Sequence, residues 1–242
     1  MMPMAKYNIK ITPETKTHIV AGNIKTGAIA QYNTLPGNKP LTLNDGTVLT
    51  DIVGTCDCMC EGCYAVNSAK RYCNTVIPSQ AENTLLLRER PQQVFDDIKA
   101  YVKAHKTKVF RYHASGEIES YMQLIRMART AEECPETIFY FYTKRFDYVK
   151  QYINDHEKFP DNLICNLSEW NGNLDKYGDK FAGINRFVYD DGSDPTLKSL
   201  PHCPSVVKKP GAKKGTLSHK VTCLDCGRCF HNHGKRVAVY NH

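Results

Sequence analysis

Four cysteines lie within eight residues, in the stretch Gly54-Thr-Cys-Asp-Cys-Met-Cys-Glu-Gly-Cys-Tyr-Ala65. They are Cys56, Cys58, Cys60 and Cys63. Thiolates this close repel one another, and a bound metal removes that cost. Cys56, Cys60 and Cys63 form a C-x3-C-x2-C frame, with Cys58 as an additional thiol inside it. Three cysteines can hold three corners of a four-iron cluster and leave the fourth iron open to a substrate or cofactor.

A second set of cysteines lies near the C-terminus. Cys223, Cys226 and Cys229 follow a C-x2-C-x2-C spacing, and Cys203 is followed by Pro204. Bacterial ferredoxins bind four-iron clusters with the same run of three cysteines and a fourth cysteine before proline. Here the Cys-Pro pair lies upstream of the run, so the order is inverted. Four thiolates fill all four irons, and the two sets together predict one open and one closed iron–sulfur cluster.

Structural zinc is the alternative interpretation of these cysteines. Tetrahedral zinc favours two separated pairs of ligands, which here would be Cys60 with Cys63 and Cys223 with Cys226. That assignment leaves several of the clustered thiols without a role. The pattern therefore favours iron–sulfur clusters over zinc.

Composition bounds the class of protein. The chain has 242 residues, is 41% hydrophobic and contains eleven cysteines. It shows neither the apolar core of a signal peptide nor an apolar run of membrane-spanning length, so we expect a cytoplasmic protein without a membrane partner. The formal charge of +7 falls to about +4 when clusters of about −1 and −2 are included, which implies no nucleic-acid partner by itself. The basic run Lys208, Lys209, Lys213 and Lys214 is most simply a solvated loop.

Strand and helix patterns alternate between the two cysteine sets. The strand patterns cover four stretches, at residues 109–114, 138–143, 162–167 and 184–189. Such alternation predicts parallel βαβ units, and five or six of them are too few for a closed eight-fold barrel. We therefore predict an α/β fold, a partial (β/α) barrel over residues 51–194. An N-terminal extended or hairpin segment should occupy residues 1–50, and a cysteine-rich module residues 195–242.

Three local signals refine this picture. Asn44-Asp-Gly46 lies between two alternating runs and predicts a hairpin turn. Ser79 and Glu82 follow Pro78 in the S-x-x-E pattern of a capping box, which predicts the start of a helix. The apolar residues at 237–240 predict a short final strand.

Polar side chains recur on one face of each predicted strand. They are Arg111, His113 and Ser115, then Tyr140, Tyr142 and Lys144, then Asn166 and Ser168, and finally Arg186 and Asp190. Helices should cover the opposite face, so this pattern favours a wet concave lumen over a sheet with one solvent-facing side. Within that lumen, Arg111 and His113 are candidates to contact a carboxylate of a substrate or cofactor, and a structural hydrogen-bond network is the alternative.

The order of these parts resembles the radical S-adenosylmethionine superfamily. There a C-x3-C-x2-C loop follows a first strand, and a glycine-and-glutamate motif follows the second. The resemblance implies that S-adenosylmethionine chelates the open iron and that Ser115, Gly116 and Glu117 help to hold its amino group. It also implies an enzyme in which the loop cluster cleaves S-adenosylmethionine to a 5′-deoxyadenosyl radical. An electron donor such as a ferredoxin or flavodoxin would supply the electron.

A closer resemblance is to the phage and plasmid "gene product eighty-eight" family. The motifs are Cys63-Tyr-Ala65, Arg111-x-His113-x-Ser-Gly116, Tyr142-Thr-Lys-Arg145 and the late cysteines, within roughly residues 20–235. Two positions depart from the radical S-adenosylmethionine pattern, because Gly62 replaces the usual hydrophobic residue before the third cysteine and Cys58 interrupts the frame. The alternatives are a non-catalytic iron–sulfur protein for electron transfer or redox sensing and, less favoured, a metal-stabilised nucleic-acid binder.

Overall fold

The computed structural model describes residues 5–58, 60, 62–170, 173–207, 215–217 and 220–240. The basic run at Lys208, Lys209, Lys213 and Lys214 lies outside these described residues. Within the described part of the chain, no helix combines the length and the apolar character needed to cross a membrane.

The strands define one large sheet and one small one. In the described residues they are β1 (Ile19–Val20), β2 (Ala30–Tyr32), β3 (Val109–Tyr112), β4 (Ile138–Thr143), β5 (Leu163–Glu169), β6 (Asn185–Asp190), β7 (Val206–Val207), β8 (Thr216–Leu217) and β9 (Arg236–Tyr240). The large sheet has the order β1-β2-β3-β4-β5-β6-β9. β1 is antiparallel to β2, and all the other neighbours in this sheet are parallel. β7 and β8 form a separate antiparallel pair.

Helices connect the parallel strands. They are α1 (Tyr64–Arg71), α2 (Cys73–Glu89), α3 (Pro91–Ala104), α4 (Tyr121–Glu133), α5 (Phe146–His156) and α6 (Cys223–Cys226), with 3-10 turns at Asp175–Phe181, Pro195–Ser199 and Arg228–Phe230. α1, α2 and α3 lie between β2 and β3, α4 follows β3, and α5 follows β4. The predicted mixed α/β fold with a mostly parallel sheet is confirmed, but the sheet is not closed, because β1 and β9 are its two edges.

The helices α2, α3, α4 and α5 pack against one face of the large sheet. Phe110, Phe139 and Leu167 from the strands share a buried core with Val94 of α3 and Leu124 of α4. Proline suits the first turn of α3, where an amide donor has no helical partner, and Ser120 caps α4 by accepting a hydrogen bond from the Gln123 amide at 3.2 Å. These helices therefore cover one face of the sheet, where Cys134 and Cys165 are buried in the core, and leave the other face for the late cysteines.

The other face, here called the inner face, carries Arg111, Tyr140, Tyr142, Asn166 and Asn185. These residues share a face because Arg111 pairs with Tyr140, and Asn166 pairs with both Tyr142 and Asn185, across neighbouring strands. A second core of Val109, Tyr140 and Ile164 packs there against Cys223 and Phe230 from the C-terminal segment. The inner face is thus partly covered by the late cysteine segment, where the sequence had predicted a wet concave lumen.

Two predictions about the polar faces were wrong by one residue. Asn185 lies on the inner face, which places Arg186 and Asp190 on the opposite face. Asn185 donates to Asn166 Oδ1 at 3.0 Å and to the His231 carbonyl at 2.8 Å, and these bonds fix the phase of β6. His113 has a φ of 53°, so it has left the β3 strand and does not share the face of Arg111.

The local signals had mixed outcomes. The hairpin at residues 41–49 is confirmed by an antiparallel bridge between Thr42 and Val48. The final strand is confirmed as β9, which joins the large sheet beside β6. The capping box is wrong, because α2 continues through Pro78, and Ser79 Oγ donates to the Thr75 carbonyl inside the helix at 3.0 Å. A helix can accept proline at the loss of one amide donor, and packing of the apolar face of α2 compensates.

Candidate metal centre

The cysteine loop rests directly on the backbone that follows β2. The Thr55 amide donates to the Leu35 carbonyl at 3.0 Å. A Cβ on Gly54 would lie 2.4 Å from the Pro36 oxygen and 2.5 Å from the Gly37 oxygen, so only glycine allows this contact. α1 begins at Tyr64, immediately after the last loop cysteine. The loop is therefore held at both ends, with its thiols between a tight backbone contact and a helix.

The loop thiols affect one another electrostatically. Cys58 Sγ lies 3.8 Å from Cys60 Sγ. Burial raises the pKa of Cys56 to about 12, and the nearby Glu117, Cys63 and Cys60 also raise it. Burial and the neighbouring Cys60 raise the pKa of Cys58 to about 11. Cys56 and Cys58 therefore keep their protons without a metal, and a bound cation would make their thiolate forms favourable.

Lys144, just beyond β4, reaches the loop. Its Nζ lies 2.9 Å from Cys60 Sγ and 4.6 Å from the centre of the Trp170 ring. The ring of Trp170 stacks on that of Tyr189, with the ring centres 5.0 Å apart. Burial acts to lower the pKa of Lys144, but the hydrogen bond to Cys60 and the nearby thiols outweigh it and raise this pKa. A charged donor therefore lies against one loop sulfur.

Glu117 connects the segment that follows β3 to the end of β4 through hydrogen bonds. Its carboxylate accepts hydrogen bonds from the Ile118 amide at 2.8 Å, the Thr143 hydroxyl at 2.8 Å and the Lys144 amide at 2.9 Å. Burial raises the pKa of Glu117, although these donors oppose the shift. The carboxylate is engaged within the protein and holds the backbone from which Lys144 extends.

Ser115 and Gly116 are equally constrained. Ser115 Oγ donates to Gln80 Oε1 at 3.1 Å. Gly116 has a φ of +86°, and a Cβ there would lie 1.9 Å from Thr34 Oγ1. This close approach requires glycine and brings the Gly-Glu turn against the residues that support the loop.

His113 belongs to a buried hydrogen-bond chain that ends at the loop. Gln123 Oε1 accepts from the Glu119 amide at 2.8 Å, which assigns its Nε2 as the donor to His113 Nε2 at 2.6 Å. His113 Nδ1–H then donates to Thr34 Oγ1 at 3.3 Å, and Thr34 Oγ1 lies 2.9 Å from Thr55 Oγ1. Burial lowers the pKa of His113 to about 4, as this neutral tautomer requires. This chain of hydrogen bonds fixes Thr55, the residue before the first loop cysteine.

The late cysteines lie against the inner face. Burial raises the pKa of Cys229 to about 12, and the neighbouring Cys223 and Cys203 raise it further, whereas a hydrogen bond with the Tyr142 hydroxyl opposes the shift. The Cys223 amide donates to the Lys25 carbonyl at 2.8 Å, which joins this segment to the N-terminal turn. Cys226 is half-buried and ends α6, which Cys223 begins.

Two cations lie near the late thiols. The Arg111 guanidinium is 5.1 Å from the Tyr142 ring centre and 5.9 Å from that of Tyr140, and its buried Nε has no hydrogen-bond partner in the described part of the chain. Burial raises the pKa of Cys223, and the positive charges of Arg111 and Lys25 oppose this shift. Cations beside buried thiols suit an anionic metal–thiolate group.

A single metal ion has different requirements. Among the residues that the structure describes, no three His, Cys, Asp or Glu side chains are grouped to hold one ion. Zinc binds each thiolate at about 2.3 Å from one centre, whereas a four-iron cluster places each thiolate on a different iron. The two kinds of site need different spacings of the same cysteines.

Sequence reasoning missed several residues of this centre. Thr34, Thr55 and Gln123 support the loop through the His113 chain, and Lys25 contributes charge to the late set. The role of Lys144 could have been predicted, because it directly follows a parallel strand, at the edge where sites in such sheets form. The other four had no signal, since their contacts join segments far apart in the chain.

The fold and centre define an α/β protein with two cysteine sets, one above an open, mostly parallel sheet and one on its inner face. A family model described as gene product 88 matches residues 7–232. The chain therefore belongs to the gene product 88 family, as the loop, strand-end and late-cysteine motifs predicted. Comparisons with curated proteins and with solved structures each gave no match.

Proposed function

We propose that this protein is an iron–sulfur protein with two cluster sites. The ligands would be Cys56, Cys60 and Cys63 at the loop and Cys203, Cys223, Cys226 and Cys229 at the late site. One observation carries the proposal, namely that each thiol set has its own cations. Lys144 lies 2.9 Å from Cys60, and Arg111 and Lys25 act on Cys223. Clusters with three and four thiolates carry about −1 and −2, so one cation at the loop and two at the late site would balance them.

We further propose that the loop site resembles that of the radical S-adenosylmethionine enzymes, with the sheet as a partial barrel. When bound there, an open four-iron cluster supplies the electron that cleaves a carbon–sulfur bond of S-adenosylmethionine. The chain contributes the position of the loop through Gly54 and Thr55, the charge of Lys144, and an inner face shielded by the late segment. A ferredoxin or flavodoxin is the proposed electron donor.

The enzyme proposal is tested by S-adenosylmethionine cleavage. Protein prepared without oxygen is reduced with dithionite in the presence of S-adenosylmethionine, and 5′-deoxyadenosine is measured by chromatography. We expect release by the wild type and by Cys58→Ala, and none by Cys60→Ala. Absence of 5′-deoxyadenosine from wild-type protein that carries both clusters would exclude this activity.

Glu117 favours a second candidate, a non-catalytic iron–sulfur protein for electron transfer or redox sensing. Its carboxylate is buried and already accepts three hydrogen bonds within the protein, which leaves it little capacity to hold the amino group of S-adenosylmethionine. For this candidate we expect both clusters to load and the Mössbauer spectrum to stay unchanged when S-adenosylmethionine is added. A spectrum that changes for one iron site would favour the enzyme instead.

A further inference from the structure

Cys58 is the loop thiol that the C-x3-C-x2-C frame leaves without a role. Its Sγ lies 3.8 Å from Cys60 Sγ, and Cys58 is exposed whereas Cys60 is half-buried. A disulfide bond is about 2.05 Å long, so the sulfurs need to approach by only about 1.8 Å. We propose that Cys58 and Cys60 form a redox-active dithiol that closes to a disulfide and thereby controls whether the loop can bind metal.

Lys144 makes the two thiols unequal. Its Nζ lies 2.9 Å from Cys60 Sγ, so Cys60 has a charged hydrogen-bond donor that holds its sulfur in position beside Cys58. The ring of Trp170 and the hydrogen bond between the Lys144 amide and Glu117 hold the lysine in place. The sulfur of Cys60 is therefore held in place beside Cys58, and the exposed Cys58 is accessible to an oxidant.

The oxidant is a low-molecular-weight disulfide, of which oxidised glutathione is the probe. Cys58 Sγ attacks one sulfur of this disulfide and gives up its proton, the S–S bond of the oxidant breaks, and the departing sulfur takes up a proton and leaves as one thiol. The Cys60 thiolate then attacks Cys58 Sγ, the protein disulfide forms, and the second thiol leaves. The protein loses two electrons and two protons, and the oxidant takes them up as two thiols.

The consequence for the metal rests on the proposed function. Cys60 is a proposed ligand of the loop cluster, and a disulfide between Cys58 and Cys60 removes it from the set of three. The late cysteines are not part of this disulfide and remain able to bind their own cluster. Oxidised protein should therefore load the late site and not the loop, whereas reduced protein should load both.

The first experiment maps the disulfide in the metal-free full chain. Reduced protein is incubated with oxidised glutathione, free thiols are alkylated, and peptides are analysed by mass spectrometry. We expect wild type and the matched control Cys56→Ser to lose the mass of two hydrogens between residues 58 and 60 without retaining glutathione. Cys58→Ser should form no such bridge. A stable glutathione adduct on Cys58, or a bridge between other loop cysteines, would overturn the proposal.

Two further measurements separate the parts of the inference. Lys144→Met should slow closure of the disulfide by about tenfold, and Lys144→Arg should restore most of the rate, because it keeps a charged donor that positions Cys60 Sγ. An unchanged rate in Lys144→Met would remove the lysine from the proposal.

Iron and sulfide uptake of oxidised and reduced protein then tests the control of metal binding. Equal uptake by both forms would refute that control, whereas no uptake even by reduced protein would instead refute the proposed iron–sulfur function and leave the mapped dithiol standing.

Discussion

A single methyl group at Gly116 should disturb the loop and its supports. Gly116 has a φ of +86°, and an added Cβ would lie 1.9 Å from Thr34 Oγ1 and 2.7 Å from Thr55 Oγ1. Those hydroxyls are 2.9 Å apart and connect His113 to the start of the cysteine loop. Gly116→Ala must therefore displace the hydroxyls or the turn itself.

Two costs add in this variant. An L-residue in the left-handed region costs about 1–2 kcal/mol. Displacing Thr34 breaks its bond to Thr55 and removes the hydroxyl that accepts from His113 Nδ1–H, which costs about 1–3 kcal/mol more. We expect Gly116→Ala to lower the free energy of unfolding by about 2–5 kcal/mol.

Gly46→Ala is the matched control. Gly46 has a φ of +87°, and an added Cβ there meets nothing within 4 Å, so this variant has only the backbone cost. Urea unfolding of the metal-free proteins, followed by circular dichroism, gives both values. Gly116→Ala should lose about 1–3 kcal/mol more than Gly46→Ala. Equal losses would refute the role assigned to the Thr34–Thr55 hydrogen bond.

Three further outcomes are expected. Because burial lowers the pKa of His113 from about 6.5 to about 4, its contribution to stability is present above pH 6.5 and is lost as the pH falls towards 4. Urea unfolding across this range should show His113→Gln to be less pH-dependent than wild type by up to about 3 kcal/mol, and parallel curves would contradict this. In metal-loaded protein, Cys203→Ser should lower the melting temperature more than Cys134→Ser, because a closed cluster joins the late segment to the sheet, and equal melting temperatures would count against that cluster. We expect no sub-micromolar nucleic-acid binding, and a salt-steep affinity that weakens on neutralising Lys208, Lys209, Lys213 and Lys214 would show this expectation to be wrong.

The sequence predicted the parts of the fold whose signals are local. Apolar and aromatic runs located β4 over Ile138–Thr143 and the final strand β9, and Asn44-Asp-Gly46 located the hairpin. These predictions succeeded because strand and turn preferences act over a few residues. They did not require knowledge of which segments pack together.

The failures have a common physical cause, which is that tertiary contacts override local patterns. Ser79 lies inside α2, because packing continues the helix through Pro78. The phase of β6 is set by the hydrogen bonds of Asn185 to Asn166 and to the C-terminal segment. His113 turns away from the inner face to meet Thr34 and Gln123. None of these partners is near in sequence, so periodicity alone could not reveal them.

The spacing of the cysteines predicted both candidate ligand sets but not their surroundings. The contact of Lys144 with Cys60 and the cations beside Cys223 depend on strand order and on the position of the C-terminal segment. These charges carry the proposed function, and they emerge only when the chain is folded.

The most direct test of the central claim is the content of iron and acid-labile sulfide per chain in protein prepared without oxygen. It is measured in the wild type, in a loop variant with Cys56, Cys60 and Cys63 changed to alanine, and in a late variant with Cys223, Cys226 and Cys229 changed to alanine. We predict about eight irons with matching sulfide in the wild type and about four in each variant that still folds. Stoichiometric zinc without sulfide in the wild type would contradict the account.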